Sequence, residues 1–171
     1  GATDVCFAEA VAQREERRGF GKERETVFVT YFRGIVFIAD FNKHFHSTTR
    51  LLPRGESGTR AAGDARIALE DPRFEAVFET WSTDPTDARY VLSLSLMERL
   101  TALAERHPGL RARFHAERLL LLLPSARDRF EPDLTRSAED LGQISAFNAE
   151  VQACLELVDA RRSGYHALLV C

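Results

Sequence analysis

Residues 32–43, Phe-Arg-Gly-Ile-Val-Phe-Ile-Ala-Asp-Phe-Asn-Lys, restrict the fold more than any other stretch of this chain. Apolar residues alternate on both sides of Arg33-Gly34, from Thr26 to Phe32 and from Ile35 to Phe41. A period of two marks a half-buried strand, and a Gly between two such runs reads as a tight turn. The expectation is a hairpin turning at Arg33-Gly34, whose second strand ends in the polar cluster Asp40, Asn42 and Lys43. Both arms are rich in Val, Ile, Phe, Tyr and Thr, which suit a pleated, half-buried surface.

More strands follow from the same pattern. Val5, Phe7 and Val11 alternate with smaller or polar residues and are read as a strand, with a short helix capped by Asp4 as the alternative,. Arg18 to Gly21 reads as a loop, as does Arg54 to Gly63, which separates a strand around 48–52 from one around 66–69. Asp71-Pro72 opens a single helical turn, since Asp caps and Pro is tolerated at the first helical position. Residues 79–82 are extended, and Thr83 to Asp87 reads as a turn. Ser95 and Glu98 have capping-box spacing ahead of the stripe Leu96, Leu100, Leu103 and Ala104, and Pro108-Gly109 ends that helix. Leu110–Phe114 and Arg118–Leu123 read as a second hairpin turning near His115-Ala116-Glu117. Apolar residues recur at three and four from Leu134 to Val158, predicting a long helix over 133–160, and Tyr165 to Cys171 closes as a strand.

The chain has 171 residues, enough for one domain with a sizeable core,. A net charge of -3 gives no global field that would draw it to nucleic acid or anionic lipid,. Cys6, Cys154 and Cys171 are odd in number and far apart, which argues against a disulfide framework or zinc knuckle and fits a reducing compartment,. Cys154 falls on the apolar side of its helix as a small core residue. No run approaches the roughly 20 apolar residues of a membrane span. The start Gly1-Ala2-Thr3-Asp4 lacks a Met, so the chain reads as one soluble domain, residues 1–171, cut from a longer protein,.

Three segments carry a family resemblance: Phe32 to Lys43, Leu69 to Glu75 (Leu-Glu-Asp-Pro-Arg-Phe-Glu), and Arg89-Tyr90-Val91-Leu92 through Met97-Glu98-Arg99-Leu100. In this order and spacing they resemble the bacterial domain of unknown function 3137, over roughly residues 5–130 and more weakly beyond. Ser93-Leu94 departs from the Thr-Pro that the family tends to place ahead of the helix. The resemblance implies a soluble domain often preceded by membrane-spanning segments. It carries no assigned activity and no catalytic residues to transfer.

Candidate chemistry is sparse. His44 and His46, two apart on an extended segment, share a face, and Asp40 joins them if the strand runs straight; a metal site of two His and one carboxylate is chemically reasonable. Polar residues at a strand exit explain the same three without a metal. The acidic set Glu70, Asp71, Asp84 and Asp87 could serve acid–base work or a cation, but capping and turn roles account for Asp71 and Asp84. Arg89 is read as a structural ion-pair partner for Asp40 or Asp71. There is no nucleophile elbow, dinucleotide fingerprint or P-loop, so no cofactor is expected. Leu134, Leu141, Asn148 and Leu155 recur every seven residues, a pattern open to a coiled coil, although Phe147 and Cys154 widen the stripe toward packing on a sheet.

These observations predict an α+β fold: a mainly antiparallel sheet of about six to eight strands, one short helix near 94–106, and a long C-terminal helix packed on it. The functional expectation is a non-catalytic interaction or sensing domain, cytoplasmic, a monomer or weak dimer, with an unknown protein partner or small ligand. It binds no nucleic acid, and any membrane contact comes through segments absent from this chain. The alternatives are a metal-dependent hydrolase using Asp40, His44 and His46, and an oligomerisation module built on the C-terminal helix.

Overall fold

The computed structural model describes residues 4–19, 25–56, 61–125 and 141–158. Five strands and four helices follow in the order β1 (Val5–Arg18), β2 (Glu25–Pro53), β3 (Ala65–Ile67), α1 (Pro72–Val77), β4 (Phe78–Ser82), α2 (Pro85–Val91), α3 (Leu94–Arg106), β5 (Arg111–Pro124) and α4 (Leu141–Val158). The sheet is antiparallel throughout. β2 holds it together: β1 pairs with residues 25–39, β4 pairs with residues 49–53, and β5 pairs with residues between 34 and 51. β3 extends the sheet beyond β4.

Both expected hairpins are instead continuous strands. β2 runs straight through Arg33-Gly34 for 29 residues. Gly34 is there for a close approach, not for a turn. It lies opposite Pro124, Ser125 N–H donates to Arg33 O at 3.0 Å, and a Cβ on Gly34 would sit 2.1 Å from Leu123 O and 2.8 Å from Ser125 N. Its φ of 154° is open to Gly and strained for other residues,. β5 likewise runs through His115-Ala116-Glu117. Ala116 has φ 54°, and across it the buried positions change from Ala112 and Phe114 to Leu119, Leu121 and Leu123. This is a bulge that flips the alternation, so each half of β5 turns its apolar residues to the same side.

The expectation of one short and one long helix is also overturned, since four helices stand among the described residues. The two beyond that count begin at Asp-Pro pairs: α1 is the helical turn expected at Asp71-Pro72, and α2 is the unexpected helix. Asp71 accepts from Arg73 N at 2.9 Å, and Asp84 accepts from Thr86 N at 2.8 Å and Asp87 N at 3.3 Å. What reads as a turn at 83–87 is therefore the capped start of α2. The cap of α3 is Ser93, which makes no side-chain capping bond, so the Ser95–Glu98 spacing does not mark a box. The long helix is seen as Leu141–Val158; the rest of 133–160 and the strand expected at 165–171 lie outside the described residues.

All four helices contribute to one core cluster on one face of the sheet. Phe74, Val91, Leu96, Leu100, Leu103, Cys154 and Leu157 meet Ile35, Phe37, Ala39, Leu119, Leu121 and Leu123 there. The β2–β5 ladder is irregular between Asp40, Phe45 and Thr49. Aromatic packing bridges that gap: Phe41 and Phe45 each meet Phe114 edge-on, with centroids 5.4 and 5.7 Å apart. Each such pair adds about 0.5–1.5 kcal/mol beyond the area it buries.

Gly34→Ala tests the close approach. The added Cβ meets backbone, which cannot swing aside, so β5 must shift. A loss of about 3 kcal/mol in urea unfolding is expected, at the upper end for core strain. A loss below about 0.5 kcal/mol, the range of ordinary surface changes, would show that β5 does not hold this register.

Candidate interaction surface

The odd-numbered residues of β2 over 35–41 and 45–51 are buried, and its even-numbered residues over 36–40 and 44–50 face outward. Register then decides what joins them. At one end Ile38 stands between Cys6 of β1 and Leu120 of β5, and Val36 stands between Ala8 and Leu122. Ile38 is 36% exposed, and Val36, Leu120 and Leu122 are half-buried. The sheet is therefore apolar on both faces here, and the described helices cover only the inner one.

Further along β2 the outer face becomes polar and cationic. Arg113 of β5, Arg50 of β2, Trp81 of β4 and Arg66 of β3 form one continuous rung across four strands. Arg50 is ion-paired with Asp64, whose side chain is only 2% exposed. Burial lowers the Arg50 guanidinium from its ordinary value, and the adjacent Arg113 charge lowers it further. Arg66 reaches Glu75 at 3.6 Å. Arg113 is exposed and pairs with no carboxylate among the described residues. One position along, His115 Nδ1 and Thr48 Oγ1 share a hydrogen bond of 2.8 Å.

The residues singled out by sequence fall along the same outer edge, each with its own neighbour. Asp40 faces Arg118 at 3.5 Å, His44 Nδ1 meets Glu117 at 2.7 Å, and His46 is exposed. Among the described residues no group of three or more His, Cys, Asp or Glu side chains could hold a metal ion. Arg89 donates to Pro85 O at 3.4 Å and Ala68 O at 3.5 Å, while Asp71 caps α1. The acidic set divides in the same way: Glu70 is exposed, and Asp84 and Asp87 meet only through the start of α2.

Asp87 belongs to a buried polar network beneath the cationic rung. Its Oδ2 accepts from Ser47 N at 2.9 Å and from Ser47 Oγ at 2.6 Å. Ser82 Oγ lies 3.3 Å from Ser47 Oγ and 3.1 Å from Thr49 Oγ1, and it donates to Asp84 O at 3.1 Å. The network fastens α2 to β2 and β4. Cys154 is no candidate nucleophile: burial first, and then the nearby Glu150 charge, push its thiol up to about 12,.

The cross-strand arginines carry no local sequence signal, because only register brings them together. The apolar outer positions were legible as alternation, but not as a second apolar face.

The family model described as "Protein of unknown function (DUF3137)" matches residues 30–160, which span β2 to α4 and most of this surface. The chain belongs to that family. The three resemblance segments fall inside the match, on β2, on the entry to α1, and on the end of α2 with the start of α3. No curated protein matches the chain. A crystal structure of the mycobacterial trehalose monomycolate transport factor A is similar, with 15% identity and a TM-score of 0.41, covering 84% of this chain and 74% of that one. At that level this member of the DUF3137 family takes no functional inference from the similarity.

The network and its neighbour Thr80 give opposite expectations. Asp87→Ala leaves two buried Ser47 donors without an acceptor and should cost about 2–4 kcal/mol. Thr80 Oγ1 is buried without a hydrogen-bond partner, between Leu51 and Ile67. Thr80→Val replaces it at equal volume and should gain about 1 kcal/mol. Chemical denaturation reads both signs. A stabilising Asp87→Ala would mean that the network does not hold α2.

Proposed function

We propose that this domain is a non-catalytic interaction module that engages a protein partner through the outer face of its sheet. One observation carries the reading. The outward positions around Val36 and Ile38 are apolar, yet the described helices pack on the opposite face. Exposed Ile38 with half-buried Val36, Leu120 and Leu122 around it makes an apolar patch, and such patches mark interaction sites,. The scattered environments of Asp40, His44, His46, Glu70 and Asp71 also suit this reading better than a reaction centre, whose groups must converge on a common point,.

Cytoplasmic placement is part of the proposal and rests on cysteine usage, which shows no pairing pattern,. Among the described residues no helix is long and apolar enough to cross a membrane.

The test is a double substitution, Ile38→Lys with Leu122→Lys, in the immobilised domain. Lysine stems can lie along the sheet with their charges in water, so the melting temperature should stay within a few degrees of the parent. A partner captured from source-cell extract by the parent, and identified by mass spectrometry, should be lost by the variant. An unchanged set of captured proteins, with the fold intact, would overturn the proposal.

A further inference from the structure

The second inference concerns the cationic rung and deepens the interaction reading, on which it rests, by naming partner chemistry. Arg50 and Arg113 are direct cross-strand partners on one face. Like charges placed directly opposite on a sheet destabilise it; burial first, and then the facing Arg113 charge, depress the Arg50 guanidinium. Asp64 engages Arg50, and among the described residues no carboxylate pairs with the exposed side chain of Arg113. Other described carboxylates have their own places. Glu56 holds Arg111 at 3.1 Å, Glu75 lies toward Arg66, and Glu79 sits one rung along, opposite Leu52.

We infer that Arg113, with Arg50 beside it, is an anion subsite that receives a carboxylate from an acidic segment of the partner protein. Two observations select a carboxylate. One exposed guanidinium matches a singly charged oxyanion. The Arg50–Asp64 pair shows a carboxylate already seated on this rung. The guanidinium fork accepts a carboxylate through two parallel hydrogen bonds, which a lysine ammonium cannot reproduce. Both arginines project from paired strands with buried neighbours, Thr49 and Leu51 on β2 and Ala112 and Phe114 on β5, so their backbones are already positioned.

The probe is a hexaglutamate peptide, with hexaglutamine as the neutral control and inorganic phosphate at equal ionic strength as the competing anion. Binding is followed through the Arg Nε–H resonances and by melting temperature. Hexaglutamate should shift the Arg113 resonance and raise the melting temperature, and raising the salt concentration should weaken both effects. Arg113→Leu should weaken binding at least about tenfold, the loss of one charge-assisted contact. Arg113→Lys should fall between the two. Without peptide, Arg113→Leu should melt at or above the parent temperature, because a like-charge contact is removed; a purely structural arginine would do the opposite. Hexaglutamate binding that ignores Arg113→Leu, or no binding at all, overturns the assignment. So does a larger Arg113-dependent stabilisation by inorganic phosphate, which would assign the subsite to phosphate. The Ile38 and Leu122 substitutions leave this readout untouched, so failure of the apolar-face proposal and failure of the anion subsite are seen separately.

Discussion

Every layer of this molecule depends on β2 pairing along both of its edges. One edge takes β1 and then β4, and the other takes β5 for most of its length. A 29-residue strand cannot stay in perfect register over such a span against the natural twist of a sheet,. The ladders shift at three places: against β1 between Ala12 and Gln13, and against β5 between Asp40 and Phe45 and between Phe45 and Thr49. Aromatic packing spans the two shifts against β5. Phe41, Phe45 and Phe114 supply side-chain contact where backbone bonds are interrupted. Loss of that cluster would let the two halves of the sheet move separately, and the outer surface would lose its continuity.

That surface follows from the core and is not a separate construction. The helices fix which residues of β2 point inward, and the outward set is then determined by alternation. Because odd-numbered residues are buried both over 35–41 and over 45–51, the apolar end and the cationic end share one face. On β5 the same outcome needs a correction. Ala116 flips the alternation so that Arg113 and Leu120 both face outward while Phe114 and Leu119 both face inward. A residue with positive φ that is not Gly is uncommon, and here it reconciles two half-strands that would otherwise bury opposite faces.

Much of the secondary structure was legible because alternation and Asp-Pro caps are local. β1, the two ends of β2, β4 and the body of α3 follow from patterns within a few residues. The errors share one cause. Gly34 and the His115-Ala116-Glu117 segment read as turns because the usual local meaning of a Gly or polar break is a turn. Their actual roles, a close backbone approach and a bulge, are set by a strand far away in sequence. Asp84-Pro85 reads as a turn although it has the same chemistry as Asp71-Pro72. The difference is that Asp87 and Ala88 are buried by Ser47 and the sheet, a tertiary contact that no window contains. The outer surface was least legible of all, since Arg50, Arg113, Trp81 and Arg66 are neighbours only by register.

The contrast between the two sides of the β2–β4 junction indicates how stability and recognition are divided. Beneath the rung, the hydroxyls of Ser47, Thr49 and Ser82 and the carboxylate of Asp87 satisfy one another at 2.6–3.3 Å. Such a network is stabilising only when its members are paired, and it then holds its elements in a single arrangement. Above it, on the alternate residues of the same strands, Arg50 and Arg113 stand opposite each other, and Asp64 pairs with Arg50. Folding alone does not call for that arrangement, and a neutral residue at position 113 would be easier on the sheet. The satisfied inner network holds the backbone of β2 in register, and the same strand carries the two facing arginines on its other side. A charge left over on a rigid strand is pre-organised for an incoming partner, and ordering it on binding costs less than ordering the same arginine on a loop.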